Sequence, residues 1–137
     1  MCKTAKTIAR EKLLKKHFPK ESGETLLEML NMRLKDSKSN AKGRTGPAGR
    51  HTIGINYLIK LFIKSKGRCA LSGRAFDYIK KSEDNASLDR IDSSKGYIYG
   101  NLQFVTKRVN LGKRNQSDPE FREWCGDVYR TSLAMAI

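Results

Sequence analysis

Residues 87–101 read SLDRIDSSKGYIYGN. Asp89, Arg90 and Asp92 crowd into four positions, a run of turn formers follows, and Asn101 closes the stretch. ASLDRI (86–91) has the composition of a strand, and DSSKGYIYG (92–100) is a loop punctuated by Gly96 and Gly100. NLQFV (101–105) alternates polar with apolar residues as a second strand does. TKRVNLGKRN (106–115) reads as a short helix with Thr106 as its cap. The stretch therefore predicts a strand–loop–strand–helix unit, and the acidic pair sits where its first strand ends.

That acidic pair stands in a strongly basic chain. The 137 residues carry 28 Lys and Arg against 14 Asp and Glu, a net charge of +14. Such an excess repels itself in the compact state, so a polyanionic partner is the natural counterpart. DNA and RNA lead, because neutralised phosphates release counterions. RNA is the weaker of the two, since nothing suggests an aromatic sheet for stacking single-stranded bases. A membrane is disfavoured: no apolar run approaches the roughly 20 residues of a spanning helix. A signal peptide is not expected either, with Lys3, Lys6, Arg10 and Lys12 breaking the first apolar stretch. Cys2, Cys69 and Cys125 are odd in number and widely spaced, which is no disulfide framework. Cys69-Ala70-Leu71-Ser72 has the spacing of a zinc knuckle, but with serine in the second place, so no structural zinc is expected. The three thiols are read as reduced in a cytoplasmic protein, Cys69 and Cys125 packing as small hydrophobes.

Outward from the central unit, the chain is mainly helical. TAKTIAREKLLKKH (4–17) spaces Ala5, Ile8, Ala9 and Leu13 as a helix does, and Pro19 ends it. A second helix is predicted from Gly23 to Gly43, with Leu26, Leu27, Leu30, Leu34 and Ala41 along one stripe. GRTGPAGR (43–50) reads as a flexible basic arm. Residues 1–50 hold 13 basic against 5 acidic residues, and form a predicted N-terminal region distinct from a 51–137 domain. Within that domain INYLIKLFIKSKG (55–67) is a buried helix with Tyr57, Leu58, Leu61 and Phe62 on one face, followed by a short hairpin over 68–76. Ser117-Asp118-Pro119-Glu120 is a capping box. It opens a final helix whose stripe of Phe121, Trp124, Cys125, Val128, Tyr129 and Leu133 predicts core packing. The expected class is α+β, mainly helical.

Asn110 shares a helix face with Thr106, Lys113 and Arg114 by i, i+3 and i+4 spacing. A helix packed across the hairpin brings Asn110 toward Asp89. A carboxylate and an amide carbonyl are hard oxygen donors that suit Mg²⁺, which keeps several waters and takes further oxygens from a phosphate. Arg90, Lys113 and Arg114 can neutralise a phosphodiester. An acidic pair in a basic protein is thus explained as a metal holder for cutting an anionic backbone.

The run LDRIDSSKGYIYGNLQFVTKRVNLGK (88–113) resembles the HNH endonucleases, whose ββα-metal hairpin binds one divalent ion and severs DNA. The lead-in YLIKLFIKSKGRCALSGRAF (57–76) and the closing SDPEFREWC (117–125) are similar to segments of small phage-type members. The resemblance implies that Asp89 and Asn110 ligate one Mg²⁺ or Mn²⁺. It implies that Asn101 ties the loop to the hairpin and that Lys113 lies near the phosphate. Arg90 occupies the place of the usual water-activating histidine, and a guanidinium cannot act as a base. Asp92 is the first substitute, then Tyr97 and His51; a phosphate oxygen accepting the proton is a further option. Lys38, Lys42, Arg44, Arg50, Lys95, Lys107 and Arg114 are candidate contacts to duplex DNA. The implied activity is metal-dependent hydrolysis of DNA phosphodiesters in a bacterial or phage-infected cell, whether for homing, phage DNA processing or host-DNA attack. The rivals are a non-catalytic DNA-binding protein on the same scaffold and a junction-selective nuclease. Monomer and homodimer both fit.

Overall fold

The computed structural model describes residues 2–136. It is α+β, with five α-helices and one two-stranded antiparallel sheet among the described residues. Helix α1 spans Ala5–His17, α2 Gly23–Lys42 and α3 Ile55–Ser65. Strands β1 (Ala86–Arg90) and β2 (Leu102–Thr106) follow, then α4 (Lys107–Lys113) and α5 (Asp118–Met135).

Local chemistry sets these boundaries. Thr4, Ser22, Thr106 and Ser117 each accept a hydrogen bond from a backbone N–H of the turn that follows, satisfying donors the helix leaves open. Ser117 and Glu120 complete the capping box. Helix α3 stops where Lys66 and Gly67 turn left-handed, at φ 55° and 73°.

Phe62 of α3 is the hub of the core. Its ring centroid lies 4.9 Å from Phe18, 5.3 Å from Phe104 and 6.0 Å from Phe76, within the range aromatic pairs favour. Leu14, Leu26, Leu30, Leu58, Leu88 and Val105 close around it. One apolar cluster thus joins α1 and α2 to α3 and the hairpin, across the boundary expected at residue 50. Leu14, rather than Ile8 or Leu13, is the residue α1 buries.

Several sequence expectations are corrected. Residues 43–50 do not form a free arm: Gly46–Gly49 make a single 3-10 turn. Residues 50–52 are then stitched to Tyr97, whose N–H donates to the Arg50 carbonyl at 2.8 Å and whose carbonyl accepts from Thr52 N–H at 3.0 Å. Gly96 is required there, because any Cβ would collide with the Arg50 backbone. The second correction concerns α5. No residue of it is buried, and Trp124, Val128, Tyr129, Leu133 and Met135 are each more than half exposed. Cys125 is exposed as well, whereas Cys69 is buried. The helix is held at its start, where Phe121 rests against Gly112, and its amphipathic period has nothing to cover it. The expected hairpin over 68–76 shrinks to one bridge between Arg68 and Ala75, around a turn closed by Gly73 N–H to the Cys69 carbonyl.

The two apolar stripes should respond differently to truncation. In urea unfolding, Leu30→Ala is expected to cost about 2–5 kcal/mol, and Val128→Ser no more than about 0.5 kcal/mol. A large loss for Val128→Ser would show that α5 is packed in solution.

Candidate functional site

The hairpin register sets the site. Leu88 faces Phe104 and Asp89 faces Gln103 across the antiparallel pair. Period two puts Leu88 and Phe104 on the core side, and Asp89 with Gln103 on the other, where α4 packs. From α4, Asn110 Nδ2 donates to Ser87 Oγ at 2.7 Å and more weakly to the Leu88 carbonyl at 3.4 Å. One turn on, Lys113 Nζ donates to Asp89 Oδ2 at 2.7 Å and to the Arg90 carbonyl at 3.1 Å.

Lys113 is 1% exposed and is also paired with Asp118 Oδ1 at 2.9 Å. Gln103 Nε2 completes the cluster, donating to Asp89 Oδ2 at 2.9 Å and to Asp118. Burial disfavours the lysine's charge, but its bonds to Asp89 and Asp118 outweigh that, so its pKa rises above the ordinary lysine value. Lys113, which the resemblance puts near the phosphate, turns its ammonium inward, away from the cleft lining, and clasps β1 to α5.

The clasp leaves one oxygen of Asp89 open. Among the described residues no donor reaches Asp89 Oδ1 or Asn110 Oδ1, and neither is a sealed buried atom. Both residues line a cleft of about 450 Å³ between α2 and the free edge of β1. These two hard oxygens fit a small divalent cation that completes its shell with water and phosphate. Among the described residues no group of three or more His, Cys, Asp or Glu is placed to hold a metal ion.

Asn101 spans the loop. Its Oδ1 accepts from Asp92 N–H at 2.9 Å, and its Nδ2 donates to the carbonyls of Asp92 at 3.0 Å and Gly96 at 2.9 Å. Asp92 lies outside the cleft lining. Its Oδ1 accepts from Ser94 N–H and Ser94 Oγ, and these bonds depress its pKa, making it a poorer base. His51 is also outside. Ser37 donates its hydroxyl to the Leu34 carbonyl, so it accepts from His51 Nε2–H at 2.8 Å. Burial, then nearby Lys38, pulls the imidazole below its usual pKa, and His51 is neutral at pH 7. Tyr97 is buried in the cleft wall, with the Arg44 and Arg90 guanidiniums 6.0 and 5.7 Å from its ring centre. Arg90 Nη1 donates to the Ser93 and Lys95 carbonyls. Of the candidate DNA contacts, Arg44 and Arg114 line the cleft, while Lys38, Lys42, Arg50, Lys95 and Lys107 are exposed outside it.

Gln103, Asp118 and the α2 pair Arg33–Asp36 were missed by sequence reasoning. Gln103 is the polar alternate of an apolar strand, and Asp118 is masked by its place in a capping box. Arg33 carries a usable signal, standing seven residues after Leu26 on the edge of the buried stripe. It donates to the Ala86 carbonyl at 2.7 Å and pairs with Asp36 at 3.0 Å.

Lys113→Met should cost about 3–5 kcal/mol in denaturant unfolding, since it strands two carboxylates; Arg114→Gln should change stability little. The sign with pH follows from the raised pKa: the clasp stabilises fully below the free lysine value of 10.5, and that contribution is lost as pH climbs through the higher folded value. Stability of the wild type should therefore fall more steeply above pH 10.5 than that of Lys113→Met. No family model, no curated protein and no solved structure matches this chain.

Proposed function

We propose that this chain is a divalent-metal-dependent DNA endonuclease of the HNH type, its β1–loop–β2–α4 unit serving as the ββα-metal element. One observation carries the reading: Asp89 and Asn110, from different elements, each leave one oxygen unsatisfied on the same cleft of a chain with net charge +14. Asp89 Oδ1 and Asn110 Oδ1 would hold one Mg²⁺ or Mn²⁺. The cation supplies Lewis-acid neutralisation of charge on the phosphate.

The protein's own groups do the rest. Asn101 holds the loop so that Arg90 and Tyr97 stay in the cleft wall. Arg90 and Arg114 offset negative charge as it grows on the phosphoryl oxygens, about 3 kcal/mol for one well-placed donor. Water attacks phosphorus in line, the bond to the 3′ oxygen breaks, that oxygen takes a proton from solvent water, and the products are a 5′-phosphate and a 3′-hydroxyl. Asp92 and His51 lie outside the cleft, so the water's proton passes to Asp36, the other carboxylate in the lining, or to a phosphate oxygen.

A second reading has its own support. The Lys113 ammonium, 2.7 Å from Asp89, already neutralises that carboxylate, which suits a DNA-binding scaffold without chemistry. Incubation with supercoiled plasmid separates the two. The nuclease should nick in Mg²⁺ or Mn²⁺ and be silenced by EDTA, and Asn110→Ala should abolish nicking while retaining the DNA. DNA retention with no nicking in any divalent ion would leave the scaffold reading. Equal activity of Asn110→Ala would remove the metal assignment.

A further inference from the structure

Arg44 Nη1 is a buried donor with no acceptor in the protein. An orphan of this kind costs about 1–3 kcal/mol, more when the group is charged. It also has a crowded neighbour. Arg44 and Arg90 lie over the same Tyr97 ring, at 6.0 and 5.7 Å, and after burial Arg44 is the next cause that lowers the Arg90 pKa. Among the described residues no carboxylate pairs with Arg44, Arg90 or Arg114, and all three line the cleft. Asp36 is in the same lining but pairs with Arg33. Arg90 Nη1 is engaged by loop carbonyls, which orients the guanidinium without neutralising it.

Two guanidiniums over one aromatic ring, both lining the cleft and neither paired with a carboxylate, form an anion site of high field. The planar fork of each matches the oxygens of a phosphate, whereas the exposed lysines elsewhere can only track a backbone. We propose that Arg44 and Arg90, supported by Tyr97, form a phosphate seat in which the accessible N–H groups of the two guanidiniums donate to phosphate oxygens. Naming that phosphate as a DNA phosphodiester beside Asp89 and Asn110 rests on the nuclease reading; the seat itself does not. It makes α2 and the following turn part of the binding site.

The test is thermal unfolding with inorganic phosphate, at ionic strength held constant with chloride so that general salt effects cancel. Phosphate should raise the wild-type Tm by linkage. Arg44→Gln should lose that increment, Arg44→Lys should keep part of it, and Lys60→Gln, at an exposed position of α3 outside the cleft, should keep all of it. In chloride alone Arg44→Gln should be at least as stable as wild type, because the like-charge crowding is relieved. In EDTA, duplex binding by Arg44→Gln should show a salt slope smaller by about one phosphate contact. A phosphate increment in Arg44→Gln equal to wild type, or an unchanged slope, overturns the seat. A protein with an Arg44-dependent increment that never nicks plasmid keeps the seat and loses the nuclease; one that nicks without the increment does the reverse.

Discussion

A single buried ammonium organises this molecule. Lys113 sits between Asp89 and Asp118 at 2.7 and 2.9 Å, with Gln103 bridging the two carboxylates. Withdrawing three charges from water is costly, and it is offset only because each finds a partner at hydrogen-bonding distance. The consequence is geometric. The clasp fixes α4 across the hairpin, sets the angle at which α5 leaves, and turns one oxygen of Asp89 inward while leaving the other to the cleft. Asn110, one turn before Lys113, is delivered to the same edge of β1.

The opposite wall depends on a second set of ties. Asn101 closes the loop on itself, and the loop's Tyr97 is stitched by backbone bonds to residues 50–52. His51 and Ser37 extend that seam to α2. Arg33 and Arg44 are thereby carried to a cleft whose other wall lies more than forty residues further along the chain. Backbone ties at Tyr97 and side-chain bonds from Arg33 and His51 together hold this wall.

Charge in this cleft is finely divided. Asp89, Asp118 and Lys113 together carry one net negative charge, which would favour the proposed cation at the open oxygen of Asp89. Arg90, Arg44 and Arg114 favour an anion a short way off. A cation and a phosphate bound together satisfy both, and each relieves repulsion that opposes the other. The proposed chemistry and the proposed phosphate seat are in this sense one electrostatic arrangement, although different side chains report on them.

Much of the local structure was legible in the sequence. The capping box at Ser117 and the alternation in NLQFV act over a few residues, and they placed α5 and β2 nearly to the residue. The strand–loop–strand–helix order likewise implied that α4 packs on the hairpin, although Asp89 is bonded there by Lys113 and Asn110 by Ser87. Periodicity alone, however, states that a stripe exists and not what covers it, so the apolar face of α5 read as core although nothing in the fold reaches it. Lys113 looked like a surface cation because its burial depends on Gln103 and Asp118, neither of which is its neighbour in sequence. The arm at 43–50 read as free because its glycines allow freedom, while tertiary packing against Gly96 removes it. What the sequence by itself determined were the elements, their ends and the acidic pair. What only tertiary structure decided was which charges are buried together, since desolvation and pairing depend on distances between segments that the linear order leaves open.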